Sequence, residues 1–136
     1  MKATVKLLDG VSFEGIADSG HSIVMDGPPD YGGQEKGIRP MEAILVGMGG
    51  CASFDVVYIL RKSQQQVDGC ECEMEAERAD EDPKVFIKVN MHFKVSGDDL
   101  KDRFVKRAVE LSAEKYCSAS VMIGKTAEIT HSYEIV

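Results

Sequence analysis

Two cysteines stand in sequence contexts that could support thiol chemistry. Cys51 directly follows Gly49 and Gly50 in an apolar stretch, and glycines let a ligand or another backbone approach a neighbouring sulfur closely. Cys117 lies at the predicted start of a short helix, where the free N–H groups and the helix dipole favour a thiolate. Spacing alone leaves two interpretations open, a reactive pair of thiols or two buried cysteines that fill the core.

The other two cysteines, Cys70 and Cys72, are interpreted as small core residues. They alternate with glutamates and therefore share one face of a predicted strand with Met74 and Ala76. A Cys-x-Cys metal site would need two more ligands, and no cysteine or histidine stands nearby at zinc-finger spacing. The sequence therefore predicts no metal site and no cofactor.

The hydrophobic pattern predicts the elements that carry these thiols. Alternation and turn residues over 2–25 predict a three-stranded antiparallel meander. From Met41 to about Lys62 nearly every helical face is apolar, which is typical of a buried helix. Clean alternation over Cys70–Arg78 and Lys84–Val95 predicts a hairpin with an acidic row beside a basic one. Pairing Glu77 with Phe86 would place Glu75 opposite Lys88 and Cys72 opposite Met91.

The last third predicts two helices and a strand. Residues 96–99 resemble a capping box before a helix that ends near Lys115, a short helix follows Cys117, and Thr126–Val136 alternates as a strand. The order βββ-α-ββ-α-(α)-β predicts an α+β fold with antiparallel sheets packed on the central helix. A length of 136 residues predicts a single domain over 1–136.

Composition narrows the classes of function. The chain has 23 acidic and 16 basic residues, and its net charge of −7 argues against a nucleic-acid binder. The longest apolar stretch, Ala43–Phe54, is shorter than the ~20 residues of a membrane span. No N-terminal signal pattern is present. The sequence therefore predicts a cytoplasmic protein without membrane contact, in which the cysteines stay reduced.

Two segments resemble a known family. Residues 37–45 (GIRPMEAIL), followed by Gly49, Gly50 and Cys51, resemble the "G-x-x-P-x-E-L-L … G-x-C" segment of OsmC-like proteins. Residues 114–118 (EKYCS) resemble the second cysteine segment of that family, and the separation of 66 positions from Cys51 to Cys117 also agrees. The order of elements covers essentially the whole chain, and the chain is most similar to the YhfA-type branch.

The resemblance implies an intertwined homodimer and a thiol-dependent peroxidase. Cys51 would be the peroxidatic cysteine and Cys117 the resolving one, which close an intramolecular disulfide after attack on a peroxide. A dithiol reductant, such as a lipoyl protein or a small thiol, would reduce that disulfide. The apolar central helix agrees with a partner chain that covers it.

The chain departs from the organic-hydroperoxide branch in two ways. That branch carries an arginine on an early strand that stabilises the thiolate, and Val11–Ala17 contains none. Its glutamate directly follows the proline, whereas Met41 stands there and Glu42 comes one residue later. We expect Arg39, the only cation in the motif, to replace the missing arginine or to be an ordinary loop cation. Glu42 would orient this cation or simply begin the helix.

These departures leave two functions open. The first is a cytoplasmic peroxidase that acts on organic hydroperoxides or hydrogen peroxide through Cys51 and Cys117, with Arg39 and Glu42 assisting. The second is a binding protein of the same scaffold with little or no turnover, which holds a small apolar ligand or a thiol-bearing metabolite in a cavity at the dimer interface.

Overall fold

The computed structural model describes residues 1–136 and confirms the α+β class and the predicted order of elements. The chain divides into two compact units, Met1–Val46 and Gly47–Val136, and the prediction of one domain stays a prediction. The elements are β1 (Ala3–Asp9), β2 (Ser12–Ala17), β3 (Ser22–Met25), a 3₁₀ turn (Pro29–Tyr31), α1 (Pro40–Lys62), β4 (Gln66–Arg78), β5 (Phe86–Asp98), α2 (Asp102–Leu111), a π-helical turn (Ser112–Tyr116), α3 (Ser118–Ile123) and β6 (Glu128–Ile135).

The first unit holds the predicted antiparallel meander, in the order β1-β2-β3. Gly10, at φ 56°, turns the chain from β1 into β2. After β3 the chain is held by the buried carboxylate of Asp26. This carboxylate accepts hydrogen bonds from the backbone N–H groups of Gly27 (2.8 Å), Gln34 (3.0 Å) and Lys36 (3.2 Å). The loop is therefore organised around one charged side chain.

We expect Asp26→Asn to lower the melting temperature by several degrees at pH 7. The Gln34 N–H, with those of Lys36 and Gly27, holds the pKa of Asp26 below its ordinary 3.8. Its stabilising contribution is therefore present above that value and is lost as the pH falls through the lowered pKa. The difference in melting temperature between wild type and variant should therefore shrink as the pH is lowered from 7 to below 3.8. Asp30→Asn, at an exposed position in the same loop, is the control, and equal melting temperatures for both variants at pH 7 would contradict this role.

Helix α1 buries one stripe of side chains. Met48, Ala52, Val56 and Leu60 recur every four residues and are almost fully buried. A Cβ on Gly49 would meet the terminal methyl of Met74, which explains the glycine as a close-packing position. The prediction of burial on all faces is wrong for the single chain, because the other side is open. Ile44, Val46, Phe54 and Tyr58 are between 47 % and 69 % exposed.

The same helix is long and apolar enough to cross a membrane. Its 23 residues include an 18-residue window with a mean hydropathy of 1.8. The uninterrupted apolar run Ala43–Phe54 is shorter than the helix, which continues past Asp55 to Lys62. Core helices of water-soluble proteins have the same length and hydropathy, so this property alone does not indicate membrane insertion.

The long hairpin of β4 and β5 forms, but its register differs from the prediction by two residues. Glu77 pairs with Lys88 and Cys72 with Phe93. A bulge at Ile87 brings Arg78 opposite Phe86, so that Phe86 is buried and Ile87 is 40 % exposed. An offset of two keeps every other side chain on its predicted face, because strand side chains alternate with period two.

The second sheet has the order β4-β5-β6 and is mixed. β6 runs parallel to β5, with Val89 opposite Ile129, and not antiparallel as predicted. Parallel neighbours need a crossover, which α2, the π-helical turn and α3 provide. The predicted capping box at 96–99 is wrong, because β5 continues to Asp98 and α2 begins at Asp102. This crossover carries Cys117 to α1.

Candidate active site

Three side chains meet where the crossover packs on α1. The sulfurs of Cys51 and Cys117 and a carboxylate oxygen of Asp55 all lie within 4.8 Å of one another. Cys51 and Asp55 are one helical turn apart on α1 and therefore share a face. Cys117 joins them from between the π-helical turn and α3. Residues that are 66 positions apart in the sequence thus form one cluster.

Cys117 lies at the start of α3, as predicted, and its side chain is fully buried. Its thiol faces the carbonyl oxygen of Met48 (3.9 Å) and accepts a hydrogen bond from the Ser120 N–H (3.4 Å). Burial raises the pKa of the Cys117 thiol, the Ser120 hydrogen bond partly offsets this, and the Cys51 thiol raises it further. The expectation that the helix start lowers this pKa is therefore wrong, because desolvation outweighs the helix N–H group.

Ser112 ties the crossover to α1. Its buried hydroxyl donates to the carbonyl oxygen of Ala52 (3.1 Å), which directly follows Cys51. The carbonyl oxygen of Ser112 accepts the backbone N–H of Cys117 (2.9 Å). One residue thus connects the backbones beside both thiols, and it does so from a π-helical turn, a conformation that is frequent at functional sites.

We expect Ser112→Ala to lower the free energy of unfolding by about 1 kcal/mol, because a buried hydrogen bond is lost. The variant should also close the Cys51–Cys117 disulfide more slowly, since the two backbones are no longer tied. Urea denaturation and the rate of disulfide formation measure the two effects. Ser118→Ala, at an exposed position in α3, is the matched control. If Ser112→Ala behaved like this control in both measurements, Ser112 would not position the thiols.

Asp55 is the site residue that sequence analysis missed. It is half-buried, and its Oδ2 atom is shielded from solvent without a hydrogen-bond partner. Burial raises the pKa of Asp55, and the nearby Ser112 side chain, which favours the charged carboxylate, only partly offsets this increase. A signal was present in the sequence. Asp55 is the only charged residue between Glu42 and Arg61, and it stands four positions after Cys51 in an otherwise apolar helix.

Cys70 and Cys72 lie half-buried on β4. Burial, followed by the influence of Cys70 and Cys117, raises the pKa of Cys72 to about 12. Burial also raises the pKa of Cys70, and a contact with Ser53 partly offsets it. Both thiols therefore stay protonated near neutral pH, in agreement with their interpretation as core residues.

Arg39 and Glu42 are engaged with other groups in the first unit. The Arg39 guanidinium forms an ion pair with Glu35 (3.0 Å). The Glu42 carboxylate accepts the backbone N–H of Arg39 (2.9 Å), a capping contact at the start of α1. Glu42 thus begins the helix, one of the two roles expected for it. The assistance of Arg39 and Glu42 to Cys51 stays a prediction.

An open groove of about 390 Å³ lies on the second unit beside the residues that flank Cys51. Gly50, Ser53 and Phe54 of α1 form one wall, and Gly69 and Cys70 of β4 form the other. The groove is largely apolar, so a small apolar molecule could bind in it.

Comparisons with known proteins agree with this architecture. The family model described as "OsmC-like protein" matches residues 33–132. Protein YhfA of Escherichia coli (strain K12) is 49 % identical over 136 residues, which cover 100 % of this chain and 98 % of YhfA.

Solved structures extend the comparison. A hypothetical protein from Aquifex aeolicus VF5 is 27 % identical with a TM-score of 0.86, and the match covers 99 % of this chain and 95 % of that one. An organic hydroperoxide resistance protein OsmC from Legionella pneumophila is 15 % identical with a TM-score of 0.70 and coverage of 98 % and 97 %. This last similarity shows a shared fold alone.

Proposed function

The chain belongs to the OsmC-like protein family, and on that premise we propose that it is a thiol-dependent peroxidase that reduces organic hydroperoxides or hydrogen peroxide. The observation that carries the proposal is the meeting of the Cys51 and Cys117 sulfurs within 4.8 Å. The organic hydroperoxide resistance protein of the same fold from Legionella pneumophila supports the choice of substrate.

Burial assigns the two thiols different roles. A peroxide must reach the sulfur that attacks it, and Cys51 is half-buried whereas Cys117 is fully buried. Cys51 is therefore the proposed peroxidatic residue and Cys117 the resolving one. The Cys51 thiolate attacks one peroxide oxygen and becomes a sulfenic acid, while the O–O bond breaks and the other oxygen leaves as an alcohol or water after it takes up a proton.

The second step closes the disulfide. The Cys117 sulfur attacks the Cys51 sulfenic acid, the S–S bond forms, and the hydroxyl leaves as water with the proton of the Cys117 thiol. A dithiol, such as a lipoyl protein or a small thiol compound, then reduces the disulfide by exchange and is itself oxidised. Each turnover thus moves two electrons from the dithiol to the peroxide.

Asp55 is the proposed proton acceptor for the Cys51 thiol. Its carboxylate oxygen lies within 4.8 Å of that sulfur, and its Oδ2 atom has no competing hydrogen-bond partner. Burial raises the pKa of Asp55, which makes its carboxylate a stronger base than that of an ordinary aspartate. Asp55 thus promotes formation of the Cys51 thiolate by accepting its proton. The strand arginine that this chain lacks would instead stabilise the thiolate by its positive charge.

Arg39 and Glu42 remain proposed assisting residues. Arg39→Gln should slow Cys51 oxidation more than Glu35→Gln does, because the latter removes only the ion-pair partner of Arg39. Equal rates of Cys51 oxidation in the two variants would show that Arg39 is an ordinary surface cation without a role in the reaction.

The proposal includes a homodimer in the cytoplasm, where thiols are kept reduced. The open side of α1 supports a partner chain, because the stacked Phe54 and Tyr58 rings (centroids 5.9 Å apart) are 69 % and 51 % exposed. Light scattering at micromolar concentration should give twice the mass of the chain.

A steady-state assay tests the proposed activity. Reduced protein should consume an alkyl hydroperoxide in the presence of a dithiol, with one dithiol oxidised for each peroxide. Absence of consumption above the protein-free rate, with both alkyl hydroperoxide and hydrogen peroxide, would contradict the proposal.

The groove supports a second candidate, a binding protein with little or no turnover. The apolar lining of this groove, beside Cys70, could hold a small apolar ligand. Native mass spectrometry of the purified protein separates the candidates. A retained molecule without loss of two hydrogens after peroxide treatment favours binding, and the loss of two hydrogens favours the peroxidase.

A further inference from the structure

We propose that Cys51, Asp55 and Cys117 together form a binding site for Zn²⁺. The chain brings the Cys51 thiol and the Asp55 carboxylate of α1 together with the Cys117 thiol of the crossover, and the three candidate ligand atoms lie within 4.8 Å of one another. All three residue types are ordinary zinc ligands. This proposal departs from the prediction of no metal site, which was argued from Cys70 and Cys72, because spacing in the sequence could not show that Asp55 joins Cys51 and Cys117.

The separations suit a single zinc ion. Zn²⁺ binds thiolate sulfur at about 2.3 Å and carboxylate oxygen at about 2.0–2.2 Å in a tetrahedral arrangement, which places two sulfur ligands about 3.8 Å apart. The observed limit of 4.8 Å therefore needs only a small inward movement of the side chains. Cys51 and Asp55 are on consecutive turns of α1, a rigid element that presents both ligands to one side.

Asp55 gives a second, independent indication. Its Oδ2 atom is shielded from water and has no hydrogen-bond partner, and a shielded polar atom without a partner is costly and uncommon in folded proteins. A bound cation beside Cys51 and Cys117 would satisfy this atom.

The donor set also selects the class of metal. Two thiolates favour Zn²⁺ over Mg²⁺ and Ca²⁺, which prefer oxygen ligands only. Three protein ligands leave the fourth position for water, as in exchangeable zinc sites and unlike closed structural ones. The half-buried Cys51 places one ligand within reach of solvent, whereas Cys117 is fully buried.

Zinc binding would regulate the peroxidase, and this consequence rests on the proposed function. Each thiol releases its proton to water as its bond to Zn²⁺ forms, and neither the metal nor the sulfur is oxidised or reduced. Zn²⁺ then shares an electron pair of the Cys51 sulfur and draws off its negative charge, so the bound sulfur is a weaker nucleophile towards peroxide than the free thiolate. Zinc and peroxide would therefore compete for the same sulfur.

Titration of the reduced, chelator-treated full chain with Co²⁺ alone tests the site, because Co²⁺ replaces Zn²⁺ and its bonds to thiolates absorb in the near ultraviolet. We expect one Co²⁺ per chain with this absorption, and its displacement by Zn²⁺. Cys51→Ser and Asp55→Asn should each weaken Co²⁺ binding by at least about tenfold, since even the supporting residues of metal sites contribute that much.

Cys70→Ser is the matched control, because Cys70 is a half-buried thiol outside the cluster. It should leave Co²⁺ binding unchanged. Asp55→Asn conserves size and removes only a carboxylate, so circular dichroism should show a folded variant. Absence of thiolate absorption in the wild type, unchanged affinity in Asp55→Asn, or loss of binding in Cys70→Ser would each overturn the site. The titration involves no peroxide, so its outcome is independent of whether the chain is a peroxidase.

Discussion

Replacing Cys51 with serine is expected to lower the rate of peroxide consumption by at least about 1000-fold, because the nucleophile itself is removed. A serine hydroxyl is far less nucleophilic than a thiolate, and no other sulfur of the cluster can replace it. Cys117 is fully buried and its pKa is raised by burial. The rate is measured with an alkyl hydroperoxide and an excess of dithiol.

The control for this variant is Cys70→Ser. Cys70 is a thiol of the same unit with similar exposure, but it lies outside the cluster of Cys51, Asp55 and Cys117. Its replacement should leave the rate within a small factor of wild type. If the two variants lost activity equally, the loss would come from disturbed packing, and Cys51 would not be the nucleophile.

Replacing Cys117 with serine should change the product and not the first step. Cys51 still attacks one equivalent of peroxide, but no second thiol is present to close the disulfide, so a sulfenic acid accumulates. We expect turnover with the dithiol to fall by at least about 100-fold and Cys51 to proceed to sulfinic acid under excess peroxide. Mass spectrometry should find one added oxygen in this variant, whereas the wild type loses two hydrogens.

The pH dependence of disulfide closure follows from Cys117. Burial raises the pKa of this thiol above its ordinary 9.0, so it is protonated at neutral pH and its thiolate fraction rises about tenfold for each pH unit below the pKa. Closure in the wild type should therefore accelerate steadily from pH 7 to pH 9. A closure rate that is flat over this range would mean that Cys117 does not attack as a thiolate.

Local patterns predicted most of the second unit because they report which face of an element is buried. Alternation identified the β4–β5 hairpin and placed Met91 and Phe93 in the core, where both are 1 % exposed. It could not locate the bulge at Ile87, because the bulge lies at the start of β5 and the residues after it alternate without a break. It could not predict that β6 pairs in parallel either, because a strand's own sequence does not encode its direction relative to a neighbour.

The candidate site was predictable only in part. The family resemblance identified Cys51 and Cys117, while their spacing carried no information on a contact 66 residues apart. The pKa of Cys117 was misjudged because the helix start was visible in the sequence and the burial was not. Asp55 was overlooked because acidic residues are common, and its significance depends on the shielding of its Oδ2 atom.

The most direct measurement is peptide mapping of the reduced chain after one equivalent of alkyl hydroperoxide, with free thiols alkylated at once. We expect a loss of two hydrogens and a single new linkage that joins Cys51 to Cys117, with Cys70 and Cys72 alkylated. Full alkylation of Cys51 and Cys117 after this treatment, or a linkage through Cys70 or Cys72 in its place, would mean that Cys51 and Cys117 are not the reactive pair.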